Sequence, residues 1–289
     1  MHLLVLVAIF TIAWLLRYTR WRSLSHGEST TNCHHPDWQT TLVIFLLPPL
    51  LLITNAIAII WMGPHGRMVW MGNDWLSYDL AICFLGYASV NLLVLASSGW
   101  RMLHQIRTYS LVTIGERRVR ILDLATPYSA QIGFWEPELV ITQGLLDTLT
   151  PDRLEAVLAH EQAHYHYRDT WCFFWLGWLR QMTSWLPQTA AIWQELTLLR
   201  ELRADRWAAD RTDPLLVAEA LLAIVQTPPI FAENICAAFS QTATTDRLTQ
   251  RITALLDRPT SLDAPAADYQ TWAWLLLAFL PFITIPFHT

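Results

Sequence analysis

The chain has 289 residues, of which 53% are hydrophobic, and its mean hydropathy is positive. This composition excludes an ordinary soluble protein and favours a membrane protein. The formal net charge is −5, all 19 basic residues are Arg, and no basic stripe is present, which argues against nucleic acid as a partner.

Three apolar segments in residues 1–100 predict a membrane domain. They cover about residues 3–16, 41–62 and 80–98, and the second is long enough to cross a hydrocarbon core as a helix. Arginines follow the first and third segments: Arg17, Arg20, Arg22, Arg101, Arg107, Arg117, Arg118 and Arg120. The positive-inside rule therefore predicts an outside N-terminus and a cytoplasmic location for everything after the third segment.

Residues 101–270 are polar and mixed in composition, and they predict a cytoplasmic catalytic domain. Short strands are expected at residues 118–124 and 139–142 because β-branched residues are frequent there. Helical periodicity recurs further along, at residues 195–211, 215–225 and 247–256. The expected catalytic domain is therefore mainly α-helical with a small β-sheet.

Two further apolar segments leave alternatives open. The aromatic run at residues 171–179 is too short to span a bilayer, so it predicts either an interfacial or re-entrant helix or a buried core helix. A Pro/Ala/Asp linker precedes residues 271–289, a fourth apolar segment. We expect this segment to be a fourth transmembrane helix, or to lie at the interface.

The motif H-E-x-x-H lies at residues 160–164, inside a strong helix signal that begins at Thr150 and Pro151. Residues four apart on a helix project side by side, so His160 and His164 can bind one metal ion. Glu161 lies about 100° round the helix axis from His160, where it can act as a base without being a ligand. This is the arrangement of a zinc peptidase.

A catalytic zinc ion needs a third protein ligand, and Glu201 is the predicted one. It lies on a predicted helix with Asp205 four residues later, on the same face. Asp205 is predicted to accept the free N–H of a ligating histidine without binding zinc itself. Glu195 is the rival ligand, but Leu199 stands at its i+4 position. The alternative for Asp205 is a surface residue paired with Arg in the same helix.

Several segments carry a resemblance to integral-membrane zinc metallopeptidases of the beta-lactam-sensor (Bla/Mec receptor) family, and they are also similar to Ste24/HtpX-like proteases. These segments are residues 133–140, 144–146, 154–164, 168–169 and 200–205. The resemblance implies a gluzincin (zincin-like) fold, zinc on His160, His164 and Glu201, and Glu161 as base. It also implies a catalytic domain between the third and fourth spans, in a bacterial cytoplasmic or other internal membrane. Antibiotic sensors carry a penicillin-binding domain after the last span; the sequence stops at Thr289, so beta-lactam sensing is not expected.

Together these features predict a membrane-bound, zinc-dependent endopeptidase with one zinc ion per chain. Its expected partners are the lipid bilayer and a protein or peptide substrate, cut in regulated or signalling proteolysis; the oligomeric state is not predicted. The substrate is expected to extend along residues 139–142 as an added edge strand. Alternatives are a quality-control or prenyl-protein protease, and a catalytically silent membrane receptor or scaffold.

Overall fold

The computed structural model describes residues 37–63, 74–225, 245–256, 269–283 and 285, together with residues 11, 14, 15 and 18. The predicted span at residues 3–16 therefore lies almost wholly outside the described residues. The described chain divides into two compact units. The first contains the described residues up to Leu93, the stretch Trp178–Leu196 and the described residues from 269 onward; the rest form the second.

The described part of the chain is mostly helical and contains one small sheet. Its main helices are α1 (Trp38–Met62), α2 (Asp74–Ile106), α3 (Gln143–Thr148), α4 (Pro151–His166), α5 (Asp169–Met182), α6 (Thr189–Ala209), α7 (Pro214–Val225), α8 (Thr245–Leu256), α9 (Tyr269–Ala273) and α10 (Leu280–Ile283). A 3₁₀ helix, Trp274–Phe279, joins α9 to α10. Its strands are β1 (Leu111–Ile114), β2 (Arg117–Leu122), β3 (Ser129–Ile132) and β4 (Glu138–Thr142).

Helices α1 and α2 are the described helices that are long and apolar enough to cross a membrane. They contain the predicted segments 41–62 and 80–98, and α2 continues to Ile106. The side chains of α2 are largely exposed, whereas α1 is half buried and places Phe45 against Trp193, with 6.0 Å between ring centroids. The apolar helical stretch Thr271–Ile283 is shorter than a typical span.

The second unit contains a mixed four-stranded sheet in the order β1-β2-β4-β3. Strands β2 and β4 pair in parallel, and the other two pairs are antiparallel. The central strands are buried through Val119, Val140 and Ile141, and their apolar residues pack with Leu145 of α3 and Leu158 of α4. This core holds the sheet against the helix that carries the H-E-x-x-H motif.

The predicted position of the substrate-binding edge is wrong. Residues 139–142 form most of β4, which lies between β2 and β3 and therefore has no free backbone edge. The edge strand on that side is β3, which the sequence analysis did not predict. All four residues of β3 are half-buried, so the strand lacks the alternation of buried and exposed residues that marks a strand in sequence.

Glycine is required where β4 passes into α3. A Cβ atom added to Gly144 would lie 2.0 Å from the carbonyl oxygen of Ala125, and the Gly144 N–H donates to the carbonyl of Leu124 at 2.8 Å. This close approach of two backbone segments ties the loop after β2 to the start of α3.

Helices α4 and α6 share one core through small side chains. Buried alanines from both helices belong to a single apolar cluster: Ala156, Ala159, Ala163, Ala204 and Ala208. Their spacing of three or four residues keeps them on one face of each helix. The same cluster includes Val217 and Ala218 of α7, so the motif helix and the helix of Glu201 are joined in one apolar core with a third helix.

Candidate active site

Three side chains from α4 and α6 converge in the second unit. His160 Nε2 lies 3.1 Å from His164 Nε2 and 3.4 Å from one Glu201 oxygen, Oε2. The other oxygen of Glu201 lies 3.8 Å from His164 Nε2. Each side chain is less than 20% exposed. Among the described residues, these three form a group able to hold a metal ion, and Glu195 is not part of it.

The geometry of this group fits zinc. Two ligand atoms at about 2.0–2.1 Å from a tetrahedral zinc ion lie about 3.3 Å from each other. The two contacts of His160 Nε2, at 3.1 and 3.4 Å, bracket that value, and the 3.8 Å contact is slightly longer. The donor set of two imidazoles and one carboxylate is also one that zinc accepts.

Each histidine has a carboxylate at its second ring nitrogen. His160 Nδ1 lies 2.9 Å from Asp205 Oδ1, and His164 Nδ1 lies 2.8 Å from Asp169 Oδ2. Both carboxylates are almost fully buried, with side chains 2% and 3% exposed. The hydrogen bond between His164 Nδ1 and Asp169 orients that imidazole, with its Nε2 towards Glu201. At His160, the Asp205 carboxylate lies at ion-pair distance from Nδ1.

Asp205 therefore lies where the sequence analysis expected a partner for a ligating histidine. It is not a surface residue, and its arginine comes from a different helix. Asp169 was missed as a partner, although it follows the motif by only five residues. The chain reverses there through Arg168, whose φ of 54° is left-handed, and this turn brings the first residue of α5 back to His164.

Each of the three carboxylates is also bound by an arginine. Arg200 donates twice to Glu201 Oε1, at 2.7 and 3.0 Å, and Arg203 pairs with Asp169. Arg251 of α8 donates to both oxygens of Asp205 at 2.7 Å. These pairings offset the negative charge that three buried carboxylates would otherwise concentrate around the histidines.

Residues 128–256 match the model of peptidase family M48. This M48 segment contains the motif helix, Glu201 and all the partners just described. The match supports the M48 metallopeptidase family and a metallopeptidase function, and metallopeptidases of this family typically use zinc. The more specific relationship to beta-lactam-sensor or Ste24/HtpX-like proteases stays a prediction. No curated protein matches the chain.

Neighbouring charges in the M48 segment shift the pKa values of the candidate metal ligands and of Asp205. Burial opposes protonation of His160, but the carboxylates of Asp205 and Glu201 outweigh it and raise the pKa of His160 to about 10. Burial alone would raise the pKa of Glu201, but the positive charges of Arg200 and Arg251 hold it well below the usual range. The pKa of Asp205 is lowered against burial mainly by Arg251. Glu201 and Asp205 are therefore anionic at neutral pH.

The predicted base, Glu161, is held by the edge strand. Its side chain is buried, and its Oε1 accepts a hydrogen bond of 2.7 Å from Ser129 Oγ on β3. No local sequence pattern marks Ser129, because its position next to Glu161 depends on the pairing of β3 with β4. A single hydrogen bond therefore links the predicted base to β3, one of the two edge strands of the sheet.

Proposed function

We propose that the chain is a membrane-bound zinc endopeptidase that hydrolyses peptide bonds of a protein substrate, with one zinc ion held by His160, His164 and Glu201. The observation that carries this proposal is the convergence of the two Nε2 atoms and the Glu201 carboxylate at 3.1–3.8 Å. A scaffold without catalysis would not need a buried base, imidazoles with carboxylate partners and carboxylates paired with arginine in one place.

Zinc, when bound, supplies polarisation of the scissile carbonyl and a more acidic attacking water. Glu161 takes the proton from that water and passes it to the nitrogen of the leaving amine. The hydrogen bond from Ser129 orients Oε1 of Glu161, and we assign the proton transfer to the second oxygen, Oε2. Asp205 and Asp169 keep the two imidazoles in one orientation throughout the reaction.

The substrate binds as an extended peptide along β3. A peptide that adds to a free strand edge gains backbone hydrogen bonds without requiring a particular sequence. Among the described strands, β3 pairs with β4 on one edge, and we assign its other edge to the peptide. Because Ser129 on this strand contacts Glu161, a peptide bound there passes next to the base.

We further propose that the enzyme is anchored in a bacterial cytoplasmic or other internal membrane, with the M48 segment on the cytoplasmic side, and that it acts in regulated or signalling proteolysis. Helices α1 and α2 have the length and composition for spanning, and arginines follow the second of them. A reporter fused after Arg120 should therefore be cytoplasmic, and one near residue 66 external. A reporter after Arg120 that is found outside would reverse this orientation.

The function is tested by comparing membranes that contain wild-type protein with membranes that contain Glu161→Gln. Cleavage products seen with wild type should disappear in the variant, which keeps the metal ligands but lacks the base. Glu155→Gln is the matched control, because Glu155 lies on the same helix but is exposed and pairs with Arg117. Products that persist at equal amounts of Glu161→Gln would refute the proposed activity.

A further inference from the structure

Arg251 on α8 is a buried arginine whose guanidinium reaches two carboxylates of α6. Its side chain is only 12% exposed. Nε and Nη2 bind the two oxygens of Asp205 at 2.7 Å each, and Nη1 lies 3.4 Å from Glu201 Oε2. All three nitrogens of the guanidinium therefore contact carboxylates, those of Glu201 and Asp205, which lie one helical turn apart on α6.

Two of the three oxygens that Arg251 contacts also face His160. Asp205 Oδ1, bound by Nη2, lies 2.9 Å from His160 Nδ1. Glu201 Oε2, near Nη1, lies 3.4 Å from His160 Nε2. The guanidinium thus limits rotation of both carboxylates, and through them it fixes both nitrogens of one imidazole. A bidentate arginine is suited to this, since its donors form a rigid planar fork.

Charge alone would make Arg251 unfavourable for the metal. A guanidinium cation next to a ligand oxygen repels a divalent cation, so an electrostatic account predicts that its removal strengthens zinc binding. A geometric account predicts the reverse, because without Arg251 the Asp205 carboxylate can rotate away and leave His160 unheld. The two accounts differ in the sign of one measurable quantity.

We propose that Arg251 is a positioning residue of the metal centre, which holds Asp205 against His160 and directs one Glu201 oxygen to the metal. Arg251 lies 46 residues beyond Asp205 in sequence, so the centre is complete only when helix α8 is docked. The inference rests on the proposed zinc site, and it adds a third helix to the two that carry the ligands.

The test is a competition for zinc between a chromophoric chelator and the purified full chain in detergent. We compare wild type with Arg251→Gln, Arg251→Lys, Asp205→Asn and the double variant Arg251→Gln/Asp205→Asn. Arg251→Gln should bind zinc about 10–100-fold more weakly, as expected for loss of a group that orients a ligand. Arg251→Lys should lose at least about 3-fold, because an ammonium group keeps the charge but not the fork.

The double variant separates a role through Asp205 from an independent one. If Arg251 acts through Asp205, the double variant should bind zinc within about 3-fold of Asp205→Asn alone, because coupled residues are not additive. Arg153→Gln is the matched control, since it breaks another arginine–glutamate pair, with Glu219 at 2.9 Å, and should leave zinc affinity unchanged. The visible spectrum of bound Co²⁺ should change in Arg251→Lys and not in Arg153→Gln.

Equal or tighter zinc binding by Arg251→Gln would overturn the proposal and favour the electrostatic account. If Arg251→Gln does not fold, Arg251→Lys decides: wild-type affinity in that variant would equally overturn it. Effects of Arg251→Gln and Asp205→Asn that simply multiply would exclude action through Asp205. A wild-type chain that binds no zinc would instead refute the proposed function, so the two failures are distinguishable.

Discussion

Replacement of Asp169 by Asn tests the partner of His164. The carboxylate is 3% exposed, accepts from His164 Nδ1 at 2.8 Å and pairs with Arg203 through its other oxygen. An asparagine can still accept one hydrogen bond, but its NH₂ group then faces another donor. If the amide oxygen serves His164, the Arg203 guanidinium loses its acceptor; if it serves Arg203, the imidazole does. Either way, one of the two donors loses this partner.

The size of the effect follows from these contacts. Loss of a hydrogen bond to a charged group costs about 1.5–3 kcal/mol of folding free energy. Loss of a carboxylate that orients a ligating imidazole weakens metal binding by about 10–100-fold, or about 1.4–2.8 kcal/mol. The metal-free variant should therefore be less stable than wild type, and a fixed zinc concentration should raise its melting temperature by less than it raises that of wild type.

The assay is thermal unfolding of purified Asp169→Asn and wild type, each without zinc and over a zinc titration. Asp152→Asn is the control, because Asp152 lies exposed in the first turn of α4 and away from the metal ligands. Equal zinc affinities for Asp169→Asn and wild type, with equal melting temperatures, would refute the assignment of Asp169 as the partner of His164.

Three further predictions follow from single residues. Glu201→Ala should lose zinc measured by elemental analysis while Glu195→Ala keeps it, and the opposite result would reassign the third ligand. Gly144→Ala should lower the free energy of unfolding by at least about 1–3 kcal/mol, because its methyl group would lie 2.0 Å from a carbonyl oxygen; wild-type stability would show that the loop can move. Burial raises the pKa of Glu138, but Arg120 and Arg107 outweigh it and lower the pKa below its usual value. Stability from this group should therefore be present at neutral pH and lost as pH falls through the lowered pKa, so the stability difference between wild type and Glu138→Gln should shrink in acid; a difference that is constant with pH would contradict this.

Features with a local sequence pattern could be predicted. The motif at residues 160–164 lies on a helix that begins at Pro151, and the sequence predicted both the helix and its start. The i+4 relation between Glu201 and Asp205 placed both on one face of α6, and in the structure both face His160. The mainly helical fold with a small sheet is confirmed, whereas the number of membrane spans stays a prediction.

Features that depend on tertiary contacts could not be predicted. Arg251 reaches Asp205 across 46 residues of sequence, and no local pattern links the two. Ser129 contacts Glu161 only because β3 pairs with β4, and β3 has four half-buried residues. Because β3 was not predicted from the sequence, β4 was wrongly expected to have a free edge for the substrate.

The arginines around the proposed metal ligands also determine how the protein responds to chemical modification. Arg200, Arg203 and Arg251 carry the positive charge near the site, and the sequence contains no lysine. A guanidinium stays protonated at any ordinary pH and is a poor nucleophile toward acylating reagents. Acetylation and amine-directed cross-linkers should therefore leave these charges unchanged, whereas arginine-directed dicarbonyl reagents should inactivate the site once they gain access to it.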